Sequence, residues 1–234
     1  MNEIAVALGE AGRLIVSLDA TLAQIVLLSL QVSLTAVVLS AVLGLPLGAA
    51  IAVGRFPGRQ ALIVAFNALM GLPPVVVGLI VYLMLSRAGP LGELGILFTP
   101  AAMVMAQTVL IVPIIAALSR QVIEDAWNEY REQLRSLGAG PISSALTLLW
   151  DTRFSLVTIV LAGFGRAAAE VGAVMIVGGN IEGVTRVMTT TIALETSKGD
   201  LPLALGLGII LISLVVVVNA AAYGVKEAAQ RRYG

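Results

Sequence analysis

Five apolar runs, each near or above the roughly 20 residues needed to cross a bilayer core, decide what this chain can fold into. They cover approximately residues 21–53, 61–85, 100–118, 154–177 and 201–223. Within lipid every backbone polar group must find a partner inside the protein, which leaves helices and closed barrels. Barrel strands alternate apolar and polar residues over about ten positions, whereas these runs are continuously apolar. The expected fold is therefore an all-α polytopic membrane protein with about five transmembrane helices. Only 12% of the 234 residues are charged, against about 25% in soluble domains. No repeat is visible and no polar stretch is long enough to fold alone, so residues 1–234 read as one transmembrane domain.

The runs differ in their interruptions. The first exceeds a simple crossing, so tilt or a bend is expected, with Gly44 and Pro46 as bend points. The second contains Gly71-Leu72-Pro73-Pro74-Val75. Adjacent prolines break regular helix, and unwound backbone at membrane depth must be buried in protein or face a watery path. Pro73 and Pro74 thus read either as a wall of a translocation pathway or as a kink that shapes packing. The third run is of minimal length, with Pro113 inside it; the fourth ends in Gly178-Gly179-Asn180. A polar loop, expected to be external, follows over residues 180–200.

Residues 1–20 carry Ile4, Ala5, Leu8, Ala11, Leu14, Ile15 and Leu18 at helical spacing, interrupted by charges; they read as an interfacial helix. Glu3, Glu10, Arg13 and Asp19 are unlike a signal peptide's basic start and apolar stretch. Insertion is expected to be driven by the first span.

Charge excludes several functions. The formal net charge is zero, and there is no cysteine or histidine. Thiol redox chemistry, disulfides and thiolate-bound metals are out, as are the usual pH switch and the commonest transition-metal ligand. No metal site and no nucleic-acid partner is expected. Lysine and arginine set orientation. Arg55, Arg59, Arg120, Arg131, Arg135, Arg153, Lys226, Arg231 and Arg232 fall in one set of loops; Arg13, Arg87, Arg186 and Lys198 fall in the other. The richer set should be cytoplasmic, which places the N-terminus outside and the C-terminus inside.

Residues 120–153 form the one long polar insert, and this orientation makes it cytoplasmic. Trp127, Tyr130, Leu134 and Leu137 recur at three- and four-residue steps as one apolar stripe. Gly138-Ala139-Gly140-Pro141 ends that helix, glycine by a left-handed cap and proline by blocking continuation. A second short helix over about residues 142–149 should carry Leu146 and Leu149 back towards the membrane. Such a hairpin can transmit a rigid push. It can equally rest on the membrane surface without a partner.

Arg166 and Glu170 lie inside the fourth run at i and i+4, so they share a helix face and can pair. A lone charge at a helix centre costs about 2.5–3.5 kcal/mol on insertion scales, and pairing offsets only part of that. The face should point into the protein. Two readings stay open, a polar element lining or gating a pathway and a structural pair that fixes packing. A proton relay through Glu170 is the rival mechanism.

The insert resembles the cytoplasmic coupling loop of ABC-transporter permease subunits, whose pattern is Glu-Ala-Ala, three residues, Gly, nine residues, then Ile-x-Leu-Pro. Glu132 and Gly138 match, and Leu148 stands where Ile is expected. Gln133-Leu134 and Trp150-Asp151 depart from the pattern. The stretch from Arg166 to Ile181, then Thr185-Arg186-Val-Met-Thr-Thr-Thr191 and Glu195 to Asp200, resembles the tungstate-type permeases. So do Leu72 to Gly78, Tyr82 to Gly92, Leu97 to Pro100 and Met105-Ala-Gln107. Molybdate permeases share a looser pattern, echoed by Glu170-Val-Gly-Ala173 and Gly179-Asn180-Ile181.

The resemblance implies a permease of the type I importer kind, for a tetrahedral oxyanion, tungstate first and molybdate next. Two copies would form the pathway in a prokaryotic inner membrane. Two ATPase subunits would bind ATP and magnesium beneath them, and an external binding protein would deliver the anion. Glu132, Leu134, Gly138, Ala139, Gly140 and Pro141 would couple to the ATPase. Pro73, Pro74, Arg166, Glu170, Gly179 and Asn180 would line or gate the path. Thr185, Arg186 and Thr189 to Thr191 offer donors in the external loop that suit a dianion. The chain has no Gly-x-x-x-x-Gly-Lys-Ser/Thr loop, so it is expected to be neither the ATPase nor an enzyme, and to hold no cofactor. A proton-coupled transporter and a membrane scaffold are the other classes.

Overall fold

The computed structural model describes residues 9, 12, 13 and 20–233. The interfacial helix expected over residues 1–20 lies largely outside them. The described residues form helices joined by turns and loops, with no strand among them. In chain order the helices are α1 (Ala20–Val53), α2 (Arg59–Leu69), α3 (Pro74–Leu85), α4 (Pro100–Ser136), α5 (Pro141–Asp151), α6 (Arg153–Ala168), α7 (Gly172–Gly178), α8 (Met188–Lys198) and α9 (Leu201–Tyr233). A single 3₁₀ turn, Gly92–Leu94, precedes α4. Among the described residues three helices, α1, α4 and α9, are long and apolar enough to cross a membrane; the pairs α2–α3 and α5–α6 bring the total to as many as five.

The long axis of the bundle is α1 against α4. α1 is one continuous helix through the expected bend point Pro46, with Gly44 and Gly48 on either side of it. They let α4 come close. A Cβ on Gly44 would lie 2.9 Å from Ile115 Cγ2, and one on Gly48 would lie 2.7 Å from the Ala116 carbonyl oxygen. Small residues one turn apart permit this backbone approach in membranes. Ala36, Ala49, Ile111, Ile115, Leu156 and Phe164 fill the core where α6 joins the pair.

Two expected spans are broken. The chain turns by 103° between α2 and α3, where the consecutive prolines remove two N–H donors and Pro74 starts the next helix. The expected fourth span is also interrupted: α6 stops at Ala168 and α7 begins at Gly172. Arg166 and Glu170 therefore straddle a helix end and do not share a continuous face.

Two other boundaries differ from the sequence reading. The third span and the first arm of the insert are one helix, α4, of 37 residues. At 1.5 Å per residue it is about 55 Å long, well beyond a bilayer core of about 30 Å. The second half of the polar loop expected over residues 180–200 is helix α8, held in the bundle by buried Met188, Thr190, Thr191 and Glu195.

Candidate functional site

The two helix breaks meet. A Cβ on Gly172 would lie 2.8 Å from Val75 Cγ2, and one on Gly78 would lie 2.7 Å from Ala173 Cα. The half-helices α3 and α7 thus touch backbone to backbone, and their glycines have no room for side chains. Val77, Val81, Met103, Ala106, Val174 and Val177 close the core around them. Pro73 and Pro74 end up beside the Arg166–Glu170 break, although nearly a hundred residues separate them in sequence.

Glu170 organises that junction. Its side chain is 2% exposed. Oε2 accepts from Arg166 Nη1 at 2.5 Å, and Oε1 accepts from the Ala173 N–H at 3.0 Å. One carboxylate therefore pairs the cation and caps the first turn of α7, where helix N–H groups lack partners. Its own carbonyl accepts from Thr189 Oγ1 at 2.8 Å, which ties the break to α8. Gln107 Nε2 donates to the Ala167 carbonyl at 3.2 Å. This fixes the amide so that Oε1 points elsewhere, and Oε1 has no partner among the described residues. Gln107 lines a cavity of about 20 Å³ with Ser29, Ser33, Glu170 and Thr189, and a space of that size holds about one water. Arg166 keeps 32% of its side chain exposed, so the cation reaches out of the junction while its counter-ion stays inside.

Gly179 and Asn180 close α7 with φ of 72° and 50°. A Cβ on Gly179 would meet Phe98 Cδ1 at 2.9 Å, so glycine is required twice over. Asn180 Oδ1 accepts from Thr190 Oγ1 at 2.8 Å. Thr185 Oγ1 donates to the Gly178 carbonyl at 2.5 Å and accepts from the Ile181 N–H. Thr191 Oγ1 donates to the Val187 carbonyl at 2.7 Å. The threonine hydroxyls expected to face an external anion are thus engaged inside the protein. Thr185, Thr190 and Thr191 are almost fully buried. Arg186 pairs with exposed Glu182 at 3.3 Å.

At the other end of the molecule, α4 and α5 form the hairpin. Gly138 turns with φ 74°; its N–H donates to the Arg135 carbonyl and that of Ala139 to the Leu134 carbonyl. Gly140 precedes Pro141 at the start of α5, and Glu132 is exposed on α4. Trp127, Tyr130 and Leu134 pack on the core as the stripe predicts, but Leu137 lies past the helix end and is 82% exposed. On α5, Leu149 packs on the core and Leu146 does not. Ser144 and Leu148 face inward, while Ile142, Leu146 and Trp150 form an exposed row at four-residue steps. Beside it opens a hollow of about 580 Å³ lined by Tyr130, Leu134, Leu137, Thr147 and Asp151. A hydrogen bond from Tyr130 to Glu129, and that carboxylate's charge, push the phenol above its usual range, so it remains a neutral donor.

No family model matches the chain. Known proteins do. The tungstate uptake system permease protein of Peptoclostridium acidaminophilum is 38% identical over 97% of this chain and 100% of its own length. The chain belongs to the tungstate-type permeases of ABC transporters. A probable anion ABC transporter permease protein of Haloferax volcanii is 42% identical over 85% of this chain and 88% of its own. The tungstate uptake permease of Campylobacter jejuni is 39% identical over 68% of this chain and 66% of its own.

The permease also holds a cluster that the sequence reading passed over. Arg59, at the start of α2, donates from Nε to the Ile51 carbonyl at 2.8 Å and from Nη2 to Glu124 Oε1 at 2.5 Å. Glu124 also pairs with Arg120. The end of α1, the start of α2 and the hairpin-side half of α4 are thereby clamped together at the root of the hairpin. The i, i+4 spacing of Arg120 and Glu124 was the available signal; Arg59 had none, being 65 residues away.

Proposed function

We propose that this permease is the membrane-spanning subunit of an ATP-driven importer of a tetrahedral oxyanion, with tungstate as cargo and molybdate the next candidate. Two copies enclose the pathway, with the N-terminus outside and the C-terminus in the cytoplasm of a prokaryotic cell whose inner membrane holds them. Two ATPase subunits bind ATP and magnesium, and an external binding protein delivers the anion. This chain supplies the route and carries out no hydrolysis.

The observation that carries the coupling assignment is the exposed row of Ile142 and Leu146 at the hairpin end of α5, with the hairpin packed behind it. An apolar row on a polar projection calls for a protein partner. Glu132, Leu134 and the Gly138–Pro141 turn place that row against a groove of the ATPase. ATP-driven closure then moves the hairpins together, and the movement passes along α4 to the junction of α3 and α7. There Arg166 offers guanidinium donors to the dianion, and Glu170 keeps it oriented and part-neutralised so that the anion can leave. Choice of tungstate rests on the named relatives.

The test is co-purification with the ATPase, then ATP hydrolysis in lipid with tungstate-loaded binding protein. Stimulation that disappears in Gly138→Asp, with insertion unchanged, is the expected result. A chain that purifies without an ATPase and moves tungstate on a proton gradient, with all activity gone in Glu170→Gln, overturns the reading.

A further inference from the structure

An open groove of about 560 Å³ runs between the middle of α1 and the start of α6. Val42, Leu45 and Pro46 form one wall; Leu156, Val157 and Val160 form the other. Its outer lips are apolar and exposed, Val42 at 65% and Val157 at 39%. Arg153 is the one charged residue in the lining, and no carboxylate among the described residues lies within salt-bridge reach of it. Its Nη1 donates to the Trp150 carbonyl at 2.7 Å. The guanidinium carbon sits 4.8 Å from the Trp150 ring centre and 4.5 Å from that of Phe154. Stacking of this kind orients a guanidinium and leaves its planar edge for an oxyanion, which it can bind through two parallel N–H donors.

We propose that this groove binds one anionic phospholipid, its phosphate on Arg153 and an acyl chain between α1 and α6. The dimensions agree. From Arg153 to Leu161 α6 rises about 12 Å, close to half of a hydrocarbon core of about 30 Å, so cation and groove match one leaflet. The indole of Trp150 sits at the headgroup level, where such rings concentrate. The charge favours a lipid head over a second copy of the chain, because the groove offers a partner protein only an unpaired cation in a wholly apolar trough. Leu149 of α5 also lines the groove, so the lipid braces the joint at which α5 and α6 turn by 76°.

The full chain carries two tryptophans, so Trp127→Phe leaves Trp150 as the reporter. This protein is placed in phosphatidylcholine vesicles containing either brominated phosphatidylglycerol or brominated phosphatidylcholine, and quenching is followed against mole fraction. Half-maximal quenching is expected at about five-fold lower mole fraction for the anionic lipid, the scale of one basic residue at a charged surface. The ratio falls to about one in Arg153→Gln and is partly kept in Arg153→Lys, whose helicity serves as the folding control. Equal quenching by both headgroups means an ordinary lipid shell and overturns the proposal. Absence of quenching means protein covers the groove, and overturns it too. So does a five-fold preference that survives in Arg153→Gln.

Discussion

Glu170 uses its two oxygens for different purposes, one for Arg166 and one for the N–H of Ala173, and substitutions separate them. Arg166→Ala leaves a buried carboxylate without its cation, a change worth about 3–5 kcal/mol. It should lower the unfolding midpoint in detergent more than the double change Arg166→Ala, Glu170→Ala; equal midpoints would mean the pair is solvated. Glu170→Gln keeps an oxygen for the Ala173 N–H and should be more stable than Glu170→Ala by about 1 kcal/mol, the scale of a lost helix cap. The reverse order would remove the capping role. Arg166 and Glu170 were legible as a site because ions in an apolar run have to be accounted for. The roles of Thr185 and Thr190 were not. A hydroxyl suits an anion or a carbonyl equally well, and only the tertiary position of Gly178 and Asn180 decides between them.

Among the helices, the break before α3 was readable from two prolines, whereas the break before α7 was not. Ala-Ala-Ala-Glu-Val has no breaker, and its interruption comes from bonds to Glu170 made by α7 and α8. The change from apolar to charged sequence near Arg120 suggested a boundary, but it marks a change of solvent around α4, whose hydrogen bonds run on regardless. Gly78 had no role of its own in the sequence reading, because what it packs against lies in α7. Gly78→Leu should push the two half-helices apart and destabilise the permease by about 1–3 kcal/mol, with uptake abolished while membrane insertion persists; wild-type uptake would show that the contact can open freely. On the hairpin, Leu146→Asp should abolish co-purification of the ATPase without lowering the permease's own unfolding midpoint, since Leu146 is 63% exposed. Retained ATPase would move docking elsewhere.

For the whole molecule, the number of apolar runs and their helical character followed from composition and length. The way those runs fold back on one another did not, because neither a 103° nor a 76° turn has a signature beyond its breaker residues. The clamp of Arg59, Arg120 and Glu124 makes one body of α1, α2 and the root of the hairpin. Glu124→Gln should therefore reduce ATP-driven uptake several-fold while ATP hydrolysis by the assembled complex continues. Uptake and hydrolysis falling in proportion would show that the clamp serves assembly alone. The clamp grips α4 past its centre, at Arg120 and Glu124, and α4 is continuous from Pro100 to Ser136. A helix of about 55 Å pivoting there is a lever with arms of about 33 Å and about 21 Å, so a tilt of about 10° carries the two ends about 6 Å and about 4 Å in opposite directions. The gearing is about one and a half to one, with the shorter arm on the hairpin side. In the proposed coupling, a stroke at the hairpin tip reaches the far end of α4 enlarged and reversed in direction.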